Sequence, residues 1–204
     1  INRKETFKDN KMDVRKGFYK NQFTKKQETP IATILFLYTG KAKYDLRNSL
    51  TLSILEQALD MVYTAGIREE EGGTYGVSCS GSLGKYPKEE LSLEISFQTD
   101  PGKIDKLSAI VEEQLNKMAK EGPQAEHMDK IKKYMLKQYN DVQKENGYWM
   151  NCLNEYFYTG VDSTKDYVKQ IESITAKDVQ TFLAKLLKQK NLIKIIMSTP
   201  EENK

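Results

Sequence analysis

The chain has 204 residues, enough for one domain with a full hydrophobic core and few for two. Hydrophobic residues make up 38% and charged residues 30%, which excludes a disordered chain, and no apolar run reaches the length that crosses a bilayer, so a soluble domain is expected. The 32 basic and 29 acidic residues give a net charge of +3 with the signs interspersed, which argues against the one-faced basic clustering of a nucleic-acid binder.

The sequence opens on Ile1 and a polar stretch with no initiator methionine or signal peptide. Residues 1–12 therefore read as the remnant of an upstream linker, and 13–204 as a single domain of a longer polypeptide. From Val14 to Lys25, Val14, Phe18, Tyr19 and Phe23 mix with basic residues, which suits an outer strand. Ile31 to Tyr38 is a nearly continuous β-rich apolar run and predicts a central strand. Between Asp45 and about Ile67, Leu50, Ile54, Leu55, Ala58, Leu59, Met61 and Val62 recur at helical spacing and predict a long buried helix. After Gly72-Gly73, Thr74 to Leu83 reads as a strand, and a turn at Gly84 to Pro87 leads into a second one. There Leu91, Leu93, Ile95 and Phe97 alternate with polar residues, giving one core face and one wet face.

Beyond Asp100-Pro101-Gly102, Ile104, Leu107, Val111, Leu115 and Met118 stripe a helix that stops near Gly122-Pro123. A charged helix follows from Gln124 to about Gln143, then an aromatic stretch from Tyr148 to Tyr158, expected to pack between helices. Thr175 and Asp178 form a candidate capping box ahead of Val179, Phe182, Leu183, Leu186 and Leu187, and Leu192 to Ser198 closes the chain as a strand. The order predicts an α+β fold, an antiparallel or mixed sheet with helices packed on one face.

The junction between the long helix and the next strand, Arg68 to Val77, is the most informative segment. Gly72 and Gly73 let the backbone turn sharply, so Arg68 and Tyr75 can point at one spot from opposite sides of the bend. A guanidinium and a phenol so placed can grip a carbonyl or a developing oxyanion. Thr74 and Gly76 are candidate backbone contacts to a bound chain. Tyr75 shares the parity of Val77 and Cys79, the core side, unless an irregular strand start re-aims it.

Other chemistries are excluded by counting. His127 is the only histidine, and Cys79 and Cys152 fit neither a metal nor a redox spacing, so both thiols are expected to be buried and no metal site is expected on this chain. The glycine-rich junction precedes a strand and lacks the Gly-Lys-Ser/Thr ending of a phosphate loop. Glu69, Glu70 and Glu71 are read as a solvated helix end.

The stretch Gly66 to Val77 resembles the signature in the C-terminal half of pitrilysin and insulysin type (insulinase-like) zinc peptidases, the inverzincins. The segment beginning Ser80-Gly-Ser-Leu-Gly-Lys, the Glu121-Gly-Pro turn and Lys144-Glu-Asn-Gly-Tyr-Trp look like its PqqL-like bacterial branch. The resemblance spans nearly the whole chain and implies the non-catalytic C-terminal domain of a metallopeptidase that degrades peptides or unfolded proteins. Zinc would sit in a partner N-terminal half bearing His-x-x-Glu-His, a motif this chain lacks. The resemblance further implies that Arg68 and Tyr75 reach across a closed chamber to bind substrate backbone and stabilise the tetrahedral intermediate, and that the isolated chain is inactive. Its partners would be that zinc-bearing half and a peptide, with no nucleic acid and no membrane span, in the periplasm or envelope of a Gram-negative bacterium. The rivals are a structural subunit using the same fold for assembly, and a peptide-binding module with no active partner.

Overall fold

Ile31 to Tyr38 lies at the middle of the sheet, where its scarcity of polar residues suits it. The computed structural model of the protein describes residues 8, 10, 12–71 and 76–200, with only the backbone of 68–71. Five strands run in the order β1 (Phe18–Thr24), β5 (Leu192–Ser198), β2 (Ala32–Gly40), β4 (Glu90–Thr99) and β3 (Val77–Gly84). β1 pairs with β5 in parallel and the remaining pairings are antiparallel, so the sheet is mixed. Register aligns the core rows: Ile34 lies opposite Phe97 and Ile196, and Phe36 opposite Ile95 and Lys194. The Phe36 and Phe97 rings stack with centroids 6.2 Å apart. The other face alternates as expected on β3 and β4, where Ser78, Ser80 and Ser82 lie opposite Ser96, Glu94 and Ser92.

Six helices complete the fold: α1 (Leu46–Glu71), α2 (Ile104–Glu121), α3 (Ala125–Val142), α4 (Asn146–Thr159), α5 (Tyr167–Ser173) and α6 (Ala176–Lys188). Asp45 caps the start of α1, its carboxylate accepting from the Asn48 N–H at 2.9 Å. α1 contacts β3 on one side and α2, α3, α5 and α6 on others. That explains why Leu50, Leu52, Ile54, Leu55, Ala58, Leu59, Tyr63 and Ile67 are all buried although they do not share one face. The predicted capping box of α6 forms: the Thr175 N–H donates to Asp178 at 2.8 Å and the Asp178 N–H to the Thr175 hydroxyl at 3.2 Å. The Lys194 ammonium, 3.0 Å from Glu112, joins β5 to α2.

α2 ends at Gly122, with φ 80° and ψ 176°, a region essentially reserved for glycine. A Cβ there would also stand 2.9 Å from the Ala176 carbonyl oxygen. Gly122→Ala is expected to destabilise the domain by roughly 1–3 kcal/mol through the backbone alone. A urea titration would register this as a lower midpoint at unchanged slope.

Two expectations are corrected, and a third lies partly outside the described residues: β3 is described from Val77, Gly76 precedes it outside the strand, and Thr74 and Tyr75, where the strand was expected to start, lie outside the described residues. Cys79 is buried as expected, but Cys152 is only half-buried. Most aromatics of α4 do not pack between helices: Trp149, Tyr156, Phe157 and Tyr158 are exposed, Phe157 by 81%, while Tyr148 is half-buried and meets Tyr139 of α3 edge-on. α4 is held instead by individual contacts, such as the Tyr44 hydroxyl on Glu155 at 2.8 Å and the Tyr86 ring edge-on to Tyr158.

Candidate functional site

The predicted site residues fall at the seam between α1 and β3. Arg68 opens the last turn of α1, where the backbone alone is described; Gly72, Gly73, Thr74 and Tyr75 lie outside the described residues. Gly76 is exposed directly before β3, and a Cβ there would meet nothing within 4 Å. Val77 and Cys79 are buried, the side that strand parity assigned to them.

What holds this seam is a pair of carboxylates one helical turn apart. Asp60 accepts from the Cys79 N–H at 3.0 Å, and Glu56 accepts from the Gly81 N–H. β3 is an edge strand, and its backbone groups alternate between facing β4 and facing outward. The amides of two alternate residues, Cys79 and Gly81, thus find partners on α1. Leu52, one turn before Glu56, closes the approach: a Cβ on Gly81 would stand 2.5 Å from its Cδ1, so glycine is what lets helix and strand lie this close. Sequence reading missed Glu56 and Asp60. The signal was there, since two acids four residues apart among Leu55, Ala58 and Leu59 sit in a helix otherwise read as buried.

The order of contacts shows that α1 and β3 run antiparallel, with Leu52 at Gly81 and Asp60 at Cys79. At about 3.4 Å per strand residue and 1.5 Å per helical residue, Val77 is level with roughly the fourth or fifth residue past Asp60. The end of α1, with Arg68, therefore projects between about one and two turns beyond the start of β3.

Burial raises the carboxyl pKa of both Glu56 and Asp60, and the backbone hydrogen bonds pull in the opposite direction; Asp60 adds to the rise at Glu56. A raised folded-state pKa means that the native state binds more protons than the unfolded chain, between the ordinary carboxylate value and the raised one. Stability accordingly falls as pH rises through that window. Glu56→Gln keeps an oxygen acceptor for Gly81 without the charge. Its urea midpoint is expected to gain on the wild type as pH rises from about 4 to about 7. A constant difference over that range would count against the burial effect.

The Cys79 thiol, beside this pair, is pushed well up by burial and then by Asp60 and Glu56. It stays protonated and is unsuited to act as a nucleophile. Among the described residues no group of three or more His, Cys, Asp or Glu side chains could hold a metal ion, so these residues do not fit a zinc site. His127 is half-buried on α3. Among the described residues no helix is long and apolar enough to cross a membrane. A cleft of about 570 Å³, lined by Leu37, Thr39, Ser82, Tyr86 and Ser92 among others, opens at the far end of β3. Its Ser82 and Gly84 lie five and seven residues beyond Val77, roughly 17 to 24 Å from the start of β3 at the rise of a strand.

The sequence profile of the peptidase M16 inactive domain matches residues 4–135. No curated protein matches the chain. Among solved structures, the periplasmic protease PqqL from Escherichia coli superposes with a TM-score of 0.77 at 18% identity, over 89% of this chain and 21% of its own. The first half of the same protease gives a TM-score of 0.75 at 16% identity, over 98% and 46% respectively. A peptidase M16 inactive domain from Pseudomonas fluorescens gives 0.74 at 16%, over 93% and 45%. At these identities the likeness is one of fold, and the chain spans about a fifth of PqqL and under half of the two shorter chains.

Proposed function

We propose, from the premise that this chain belongs to the family of peptidase M16 inactive domains, that it is the C-terminal, substrate-binding and chamber-forming domain of a zinc metalloendopeptidase. The match of that family profile carries the reading. The substrates would be peptides or unfolded proteins small enough to enter a closing chamber. Zinc belongs to the His-x-x-Glu-His half of the same polypeptide, and nothing on this chain is asked to hold it. The fold likeness to a periplasmic protease supports a periplasmic setting.

In this reading Arg68, carried past the sheet on the end of α1, and Tyr75, just before β3, meet the substrate from either side of the Gly72-Gly73 bend. The guanidinium and the phenol O–H donate to the substrate carbonyl and to the oxyanion that develops from it, where fixed donors in a water-poor site are worth most. Thr74 and Gly76 offer backbone contacts to the substrate chain. The fold occurs in the first half of PqqL as well, so it is the Arg68 and Tyr75 pair that argues for the C-terminal position.

The test is cleavage of a quenched fluorescent peptide by the zinc-bearing half, with and without this chain. Activity only in the presence of the chain supports a composite site. Equal activity without it sinks the proposal. The alternative, a non-catalytic assembly subunit of the same fold, is favoured by the exposed aromatics of α4, since aromatic residues are enriched where proteins meet. It predicts binding to the other half without any gain in turnover.

A further inference from the structure

α4 turns its apolar side to the solvent. At about 100° per residue, Trp149, Met150, Leu153, Tyr156 and Phe157 fall within one arc of about 120°. All five are exposed, by 45% to 81%. The side turned inward carries Tyr148, Cys152, Glu155 and Thr159, of which only Thr159 is fully buried. Among the described residues, α4 is the one α-helix that no other helix or strand packs along extensively. Its sequence does not make it stable by itself. Asn146, Gly147, Asn151 and Asn154 are poor helix formers, no side chain caps its start, and 14 residues are marginal for an isolated helix. Such a helix takes its stability from the packing of an apolar face, and here that face is open. We propose that this face is where two copies of the chain pair, α4 against α4, about a two-fold axis at Leu153.

The stripe is symmetric about Leu153: Trp149 and Met150 lie four and three residues before it, Tyr156 and Phe157 three and four after it. Antiparallel pairing sets the tryptophan and methionine of one chain beside the tyrosine and phenylalanine of the other, with the two leucines meeting at the axis. Opposed helix dipoles favour the same orientation. Charge does not resist it, because Glu155, the only charged side chain of α4, is turned inward and accepts from the Tyr44 hydroxyl at 2.8 Å. With no lysine or arginine, α4 lacks the basic face by which a surface helix holds an anionic bilayer. At about 150–250 Å² per aromatic side chain, the open parts of Trp149, Tyr156 and Phe157 come to roughly 250–450 Å². That matches the largest apolar patch of a typical monomer and is about half of the roughly 800 Å² that each partner gives to a standard interface. Met150 and Leu153 within the stripe, and Tyr158 with Tyr86 beside it, extend the area further.

Sedimentation velocity of the 204-residue chain is expected to show one chain giving way to two over micromolar concentrations. Leu153→Asp and Leu153→Lys each set like charges face to face at the axis, and each should weaken pairing at least about 100-fold. Leu153 is exposed, so neither change should alter the circular dichroism spectrum. Mixed in equal amounts, the two variants should pair again, because only the mixture places opposite charges at the axis. Phe157→Ser, at the most open ring of the stripe, should weaken pairing about 10-fold or more.

A chain that stays single at every concentration would overturn the proposal; binding of the zinc-bearing half, lost in Leu153→Asp, would then give the face to that partner. Pairing that survives the substitutions at Leu153 and Phe157 would place the contact elsewhere and overturn it equally. Variants that separate but do not pair on mixing would remove the two-fold axis at Leu153. None of these outcomes involves peptide cleavage, so the role proposed for Arg68 and Tyr75 stands or falls on its own assay.

Discussion

Arg68→Ala and Tyr75→Phe, each introduced into this chain and assayed in the proposed assembly with a zinc-bearing half, are expected to lower kcat/KM about 10²- to 10³-fold, the scale of losing one preorganised oxyanion donor. Tyr75→Phe is the sharper of the two, because it removes one hydroxyl and leaves the ring. If the phenol acts mainly on the developing oxyanion, kcat falls and KM stays; if it grips the substrate backbone equally before and during reaction, KM rises alone. Arg68→Ala should show the larger KM component, since a guanidinium offers more donors than one oxyanion needs. Turnover unchanged at both saturating and subsaturating peptide would return the pair to a structural role, a helix end and a core-edge ring.

The second large effect is on stability. Phe36 is fully buried at the centre of β2, between β5 and β4, stacked on Phe97 and covered by the Lys194 ammonium 4.6 Å from its ring centroid. Phe36→Ala removes the ring from a site walled on two sides by strands and on a third by helices, with little freedom to collapse. A loss of about 3–5 kcal/mol is expected. Urea unfolding followed by far-ultraviolet circular dichroism would show it as a lower midpoint. A loss below about 1 kcal/mol would mean that the centre of the sheet repacks far more readily than cores generally do.

Much of this architecture is legible in the residues, and the reasons differ by element. Ile31 to Tyr38 could be placed at the sheet centre because a β-rich, nearly continuous apolar run suits a strand covered on at least one face, although Leu35 and Leu37 on its second face are only half-buried. The capping box at Thr175 and Asp178 is local chemistry and needed no tertiary knowledge. The parallel pairing of β1 with β5 was not legible, since it joins the two ends of the chain and depends on a register no local pattern encodes. α4 misled for a physical reason: a stretch rich in Tyr, Trp and Phe looks like core, and composition does not distinguish an apolar surface turned inward from one left outside. At the junction, residue types and spacing nominated Arg68 and Tyr75, but spacing could not reveal the two carboxylates of α1 that tie the strand in place. Those became visible only once the edge of β3 was seen to lie against the helix.

The placement of α4 has a spectroscopic consequence. Trp149 is the chain's only tryptophan; it is 45% exposed, its indole N–H donates to the Gln143 carbonyl at 2.8 Å, and it lies on a helix apart from the buried cluster of Phe36, Leu59 and Leu93. Its emission therefore reports the solvent at one helix surface and says little about the interior. Unfolding followed at that wavelength will show a small change in colour, while any macromolecule that covers α4 will shift the same signal to the blue without altering the fold.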